Sequence, residues 1–314
     1  NHQADIGENR PMDFKVNNIL CAVDFSKFSQ PVLDYATGLA QGFDTDVTVF
    51  HALNIPRTSL PDDAICAPGT DEAEQIENAR RRIARLVGKR PINWRTVIRS
   101  GDPVEAIEVY ARDQDIGIVV AASYGLSGWK RFLGGTIVEA LARTLSRPLL
   151  VVRASKASKP PRAYSADDFS LQNILVACDL SAAADRLYYC AEAFARSFDT
   201  SLHFAHTVET PVGEDRGASA AGPYTEVQQA LKDHLRERLT NRLPETIRRS
   251  SRFKAVVLQG NPADSLMDYA AVNAVELIIV GVRPRHGLQK LLIGSTTETL
   301  LRHAPCKVLT VPYT

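Results

Sequence analysis

The sequence predicts an α/β protein built from two tandem copies of one domain, each a parallel sheet covered by helices on both faces. Three observations predict it. The chain repeats itself, since Asn18-Ile-Leu-Cys-Ala-Val-Asp-Phe-Ser26 lies over Asn173-Ile-Leu-Val-Ala-Cys-Asp-Leu-Ser181, matching at six of nine positions at an offset of 155. Within each copy short Val- and Ile-rich runs alternate with segments of helical period, the signature of βαβ units. The runs are apolar throughout, as strands buried on both faces are.

The elements of the first copy follow in order. Residues 19–23 form a short strand, and Ser26 can cap a helix running to about residue 41. Residues 46–53 are a second strand, followed by a polar loop. Residues 71–89 carry apolar side chains at helical spacing (Ile76, Ala79, Ile83, Leu86, Val87), with arginines toward the C-terminal half, where cations suit the helix dipole. Residues 92–98 are a third strand, 103–112 a helix with proline in its first turn, and 116–122 a fourth strand. A glycine-rich loop, a helix from about residue 136 and a last strand at residues 149–152 complete the copy.

The repeat continues through Phe43-Asp44-Thr45 over Phe198-Asp199-Thr200 and His51 over His206. Farther on, Gly101-Asp102-Pro103 matches Gly260-Asn261-Pro262, and Gly135-Thr136 matches Gly294-Ser295, now at an offset of 159. The four extra residues belong in the polar stretches 54–70 and 209–223, because surface loops absorb insertions at small cost. Residues 154–170 are rich in Pro, Ser and charge, as linkers are. The expected division is an N-terminal tail at 1–15, a first domain at 16–153, the linker, and a second domain at 171–314.

Composition bounds the function. The 314 residues are 45% hydrophobic and 23% charged, enough for two ordinary cores, which excludes disorder as the main state. Lys+Arg 37 against Asp+Glu 36 leaves a formal charge of +1, which argues against nucleic acid and against an anionic membrane as partners. No apolar run reaches the roughly 18–20 residues that a membrane-spanning helix needs. The polar N-terminus lacks the apolar middle of a secretory signal and favours the cytoplasm. Five cysteines, an odd number with no CxxC pair, argue against a disulfide framework or a zinc ribbon, and three of them sit in apolar strand-like runs.

In parallel α/β sheets, ligands sit beyond the carboxyl ends of strands at a topological switch point. Asp24 and Asp179 end the first strands there. Each fourth strand, closing on Ala122 or Gly281, opens into a long loop that ends in a small pair at a helix start, where free N–H groups and the positive dipole end suit an anion. Plain readings stand beside this one: the aspartates could simply cap helices, the small pairs could be ordinary helix starts, and His51 and His206 could be packed or hydrogen-bonded. His203 and His206 are three apart on a strand, face opposite ways and cannot chelate one metal together. The arginines at 80, 81, 82 and 85 are interleaved with glutamates and read as a solvated helix face.

These residues resemble the universal stress proteins in their tandem two-domain form, over nearly the whole chain apart from the tail and linker. The family's nucleotide loop reads Gly, two residues, Gly, nine residues, Gly, then Ser or Thr. The first copy has Ala122, Gly125, Gly135 and Thr136, with alanine for one glycine; the second has Gly281, Pro284, Gly294 and Ser295, with proline for the middle one. The resemblance implies two Rossmann-like domains of the adenine nucleotide alpha hydrolase type, each with five parallel strands in the order 3-2-1-4-5, often dimerising through the last strand. It also implies ATP or a related adenine nucleotide, with the base near the first-strand Asp and the phosphates over the glycine loop. Binding residues carried over are Ala22, Asp24, Ala52, Ala122, Gly125, Gly135, Thr136 and Ile137 in the first copy. In the second they are Asp179, Gly281, Arg283, Gly294, Ser295 and Thr296. A Mg²⁺ or Mn²⁺ ion would come with the triphosphate, held mainly by its oxygens, since no carboxylate cluster is evident.

The departures favour the first copy as the competent site. Alanine adds only a methyl, whereas proline at 284 removes an N–H donor and fixes φ. Against this, Arg283, Arg285 and His286 bring cations to the second loop, and Arg is well shaped for phosphate. The leading expectation is a stress-response regulator that binds ATP and acts through conformation or oligomeric state; a ligand-free interaction module is the alternative. No Walker-type loop and no nucleophile–base pair stands out, so slow ATP hydrolysis is the upper limit of any enzyme activity. The chain's two halves are expected to pair as an intramolecular pseudo-dimer through residues 149–152 and 307–311, with a homodimer left open.

Overall fold

The computed structural model describes residues 14–53, 70–123, 137–153, 169, 171–181, 184–209, 223–283 and 293–313. The first half contains β1 (Asn18–Ala22), α1 (Ser29–Phe43), β2 (Asp46–Leu53), α2 (Thr70–Val87), β3 (Trp94–Ser100), α3 (Pro103–Asp113), β4 (Ile118–Ser123), α4 (Ile137–Thr144) and β5 (Leu149–Arg153). The second contains β6 (Asn173–Ala177), α5 (Asp185–Phe198), β7 (Ser201–Val208), α6 (Pro223–Arg242), α7 (Glu245–Arg248), β8 (Phe253–Gln259), α8 (Pro262–Val272), β9 (Leu277–Val282), α9 (Ser295–His303) and β10 (Lys307–Pro312).

Strand order within the first half is 3-2-1-4-5, every neighbouring pair parallel, and the second half repeats it. The central strands are apolar because both faces are covered. Ile19 and Cys21 point into one core and Leu20 into the other, and all three are fully buried. Helices α3 and α8 start on matching caps: the Asp102 carboxylate accepts from the Val104 and Glu105 N–H groups at 3.0 Å, and Asn261 Oδ1 accepts from Ala263 and Asp264 at 3.0 and 3.2 Å. Each has proline at the first helical position.

The halves join through their last strands. β5 and β10 pair antiparallel, Leu150 opposite Leu309, and make one ten-stranded sheet in the order β3-β2-β1-β4-β5-β10-β9-β6-β7-β8. Leu150 and Leu309 are repeat equivalents at the offset of 159, so a local two-fold axis passes between them. Phe43 packs edge-on against Phe194 and Phe198 at centroid distances of 5.0 and 5.2 Å, and Phe198 in turn lies 5.8 Å from Phe169. Two glycines of α1 make room for these rings, since a Cβ on Gly38 or Gly42 would collide with Phe169 or Phe198. A second bridge is electrostatic. Buried Glu139 in the first turn of α4 accepts from Arg302 Nε in the last turn of α9 at 2.8 Å, and Arg302 also reaches Glu298 at 2.8 Å.

Several boundaries differ from the sequence reading. Helix α1 starts at Ser29 with Phe28 at its cap position, two residues beyond the expected cap at Ser26, and no side chain caps it. Phe25 lies in the left-handed region, with φ 59°, and Asp24 Oδ1 closes a turn by accepting from Ser26 N–H at 2.9 Å, which delays the helix. β3 runs two residues later than expected because it pairs with β2 along nearly its whole length, from Val47 with Trp94 to Leu53 with Ser100. β4 and β9 each run one residue past Ala122 and Gly281. Of the cysteines among the described residues only Cys21 lies in a strand; Cys178 and Cys306 flank β6 and β10, and Cys190 is buried in α5. All four are free thiols that burial pushes up, Cys306 to about 12.

Candidate functional site

Parallel register brings the marked residues to one edge. Ala22 pairs with Phe50 and Cys21 with Val120, so two residues further on Asp24, Ala52 and Ala122 gather at the carboxyl ends of β1, β2 and β4. Gly125, Gly135 and Thr136 lie outside the described residues. Ile137 opens α4 and is 46% exposed. Asp24 Oδ1 takes two donors, Ser26 N–H at 2.9 Å and Ser29 Oγ at 3.1 Å, which fixes the carboxylate on its turn. Among the described residues Oδ2 carries no hydrogen bond or ion pair.

A column of side chains supports this turn. His51 Nδ1 donates to the Val23 carbonyl at 2.8 Å; since a carbonyl only accepts, Nδ1 carries the hydrogen. The His51 ring lies 4.3 Å from that of Phe25, and the Arg82 guanidinium sits 3.9 Å from the Phe25 ring centroid. Burial, and secondarily the Arg82 charge, hold the His51 imidazole below its ordinary value of 6.5 against the opposing hydrogen bond to Val23 and the Asp24 charge. Arg82 therefore belongs to the site's surroundings, and, like Arg80, Arg81 and Arg85, it is exposed as the solvated-face reading expects. His206 repeats the arrangement, with Nδ1 donating to Cys178 O at 2.8 Å. Leu180 repeats the left-handed turn of Phe25, with φ 58°.

In the second half the same edge holds a cavity of about 370 Å³. Of the residues marked there, Asp179, Gly281, Arg283, Gly294 and Thr296 all line it; Ser295, the first residue of α9, is exposed beside it. Asp179 Oδ1 accepts from Ser181 N–H at 2.9 Å, and Arg283 Nη2 lies 3.6 Å from Oδ2. Neither Asp24 nor Asp179 occupies the cap position of the helix that follows, so the capping reading is replaced by one of turn formation. The sequence reading missed Thr297, whose hydroxyl reaches the Gly281 carbonyl at 3.3 Å, and Tyr313, which follows β10 and lines the cavity. A Cβ at Gly281 would meet the Tyr313 ring at 2.1 Å, so glycine at this strand position accommodates the chain's own aromatic ring. The sequence signal was a large aromatic two residues beyond the strand partner of a glycine.

A broader depression of about 530 Å³ lies at the opposite, amino-terminal edge of the strands, lined by Gln41, Arg90 and Asn93 among others. Arg90 there donates to the Leu86 and Val87 carbonyls at 2.6 and 2.7 Å and pairs with Asp34, finishing α2. It carries none of the motif residues. Among the described residues no cluster of His, Cys, Asp or Glu could hold a metal ion, and no helix is long and apolar enough to cross a membrane. His203 is buried against Tyr269 at 3.1 Å, on the face away from His206.

Comparison with known proteins agrees with the repeat. The sequence model of the Universal stress protein family matches residues 15–153 and again 170–312. Universal stress protein A homolog 2 of Coxiella burnetii is 35% identical over 144 residues, covering 45% of this chain and 94% of that protein. The crystal structure of a universal stress protein from Archaeoglobus fulgidus superposes with a TM-score of 0.65 at 20% identity, over 96% of this chain and 100% of that one, and so shares the fold of both halves. A universal stress protein family protein from Arabidopsis thaliana, solved with AMP bound, matches 46% of this chain and 92% of its own at 19% identity and a TM-score of 0.31. The AMP belongs to that protein alone.

Proposed function

The chain belongs to the universal stress protein family, and from that premise we propose that it is an adenine-nucleotide-binding stress regulator, with ATP as the expected ligand. The observation that carries the reading is the cavity at the carboxyl edge of the second sheet, where a first-strand carboxylate, a fourth-strand glycine and the start of α9 face one space of about 370 Å³. Such a space suits a nucleoside with its base at Asp179 and its phosphate toward the N-terminus of α9. In the first half Asp24, Ala22, Ala52 and Ala122 play the corresponding part, with Gly125, Gly135, Thr136 and Ile137 completing the phosphate side. A Mg²⁺ or Mn²⁺ ion would ride on the phosphate oxygens.

Binding rather than turnover is the activity, and conformation is the output. Helices α4 and α9 both start at the glycine loops, and the Glu139–Arg302 pair ties α4 to the far end of α9 across the junction of the halves. A nucleotide that tightens one helix start therefore acts next to the contact that joins the halves.

The test is to denature the purified full-length protein and identify released small molecules by mass spectrometry, with calorimetric titration of ATP at millimolar Mg²⁺ beside it. An adenine nucleotide, or calorimetric binding weakened by Asp24→Ala, is the expected result. Nothing released and no heat of binding would leave a ligand-free interaction module instead.

A further inference from the structure

The two base-recognition edges are not chemically alike. Resting on the reading that a purine base meets the carboxylate after each first strand, we propose that Arg283 is the specificity-determining residue of the second site. It converts a bare acceptor into a donor and acceptor side by side, so the second site loses the preference for a 6-amino over a 6-oxo purine.

In the first half both hydroxyl and amide donors go to Asp24 Oδ1, and among the described residues none goes to Oδ2. An ionised carboxylate oxygen accepts only, so, facing the 6-substituent, it complements the amino group of adenine and repels the carbonyl oxygen of a 6-oxo purine. The second half differs at three repeat-equivalent positions. Ser29 is replaced by Ala184, which removes one donor to the carboxylate. Tyr124 is replaced by Arg283, whose Nη2 stands 3.6 Å from Asp179 Oδ2. Ala154 is replaced by Tyr313.

Tyr313 makes the arrangement coherent. Its ring fills the space above Gly281, its phenol faces the Asp179 carboxylate, and the Arg283 guanidinium lies 5.8 Å from the ring centroid. The guanidinium is thus drawn from one side by a carboxylate and from another by an aromatic face, at the rim of the cavity. Its remaining N–H groups are donors suited to a purine O6, which offsets the repulsion that a carboxylate facing the 6-position alone would offer that oxygen. Because the pair is open to water, with side chains 63% and 43% exposed, its effect is modest, about fivefold at most for an exposed ion pair.

The experiment uses the full chain and the pair AMP and IMP, which share a phosphate and differ in the base edge, so any contact of Arg283 with phosphate cancels in their ratio. Asp24→Ala removes the first site's carboxylate and leaves the second to be read by calorimetry. Asp24→Ala should bind AMP and IMP within about twofold of each other, and Asp24→Ala/Arg283→Ala should favour AMP by about fivefold. The same ratio in both proteins overturns the proposal, as does a strong AMP preference in Asp24→Ala alone. Binding of neither nucleotide by Asp24→Ala, while the unsubstituted chain binds one AMP, also overturns it and leaves the functional reading standing on the first site. If the unsubstituted chain binds neither nucleotide and no ATP, the functional reading falls and this proposal with it.

Discussion

Six described non-glycine residues sit in the left-handed region, in three repeat-equivalent pairs: Asp44 with Asp199 and Asp115 with Ala274 at or just past helix ends, and Phe25 with Leu180 immediately after the aspartates that end the first strands. Such a conformation costs an L-residue about 1 kcal/mol or more, and Phe25 and Leu180 are each held by an Asp side chain that accepts from the N–H two residues on. Unlike the other two pairs, which close helices, this one follows a strand and turns the preceding carboxylate toward the sheet edge. The aspartates themselves were legible from the repeat, but the turn was not, because an Asp-x-Ser sequence suits a helix cap as well as an Asx turn. Titration gives a prediction at this scale. Burial lowers the folded-state values of both His51 and His203 below the ordinary 6.5, so below that pH the unfolded chain takes up protons that the folded chain refuses. Stability therefore falls as pH drops through 6.5 toward the folded-state values. Denaturant titrations should show a lower unfolding free energy at acidic than at neutral pH, and the His51→Asn/His203→Asn variant should flatten that dependence; an unchanged slope would contradict the burial argument.

At the scale of elements, strand existence was legible because apolar runs of both-face character admit few alternatives, whereas strand order and pairing through the final strands came from the resemblance to the universal stress proteins. Boundaries were set by partners the sequence does not display, as with β3, which pairs with β2 along nearly its whole length. Packing between helices was least visible. Gly42, the next-to-last residue of α1, looks like a simple helix end, yet it is the surface on which Phe198 rests, with a Cβ placed only 2.0 Å from the ring. Two effects compete in Gly42→Ala: helix propensity favours alanine by less than the interior value of about 1 kcal/mol at this helix end, while overpacking against a ring held in an aromatic cluster costs about 1–3 kcal/mol. Overpacking wins, and the variant should be less stable by about 1 kcal/mol, read from the denaturant midpoint. The reverse sign would mean that the Phe198 ring yields freely. Asn261→Ala should cost about 1 kcal/mol in the same measurement and also weaken nucleotide binding at the second cavity, because it frays the first turn of α8 that sets Pro262 on the cavity wall.

Across the whole molecule, both core clusters contain residues of both halves, Ile19 with Ile174 in one and Leu20 with Leu175 in the other, and the sheet is continuous through β5 and β10. A repeat protein with separate cores would melt in two steps; a shared core makes each half's stability depend on the other's. Calorimetry of the unliganded chain should accordingly show one transition, with the calorimetric and van't Hoff enthalpies in agreement. Ligand binding sharpens the test. Adenine nucleotide at 100 times its dissociation constant stabilises whatever unit contains the site by about 2.7 kcal/mol. If that unit is the whole chain, the single transition moves upward by roughly 5 °C and stays single. If the halves are energetically separate, the occupied half rises alone and the endotherm splits, leaving the Glu139–Arg302 bridge as a contact without a coupling role.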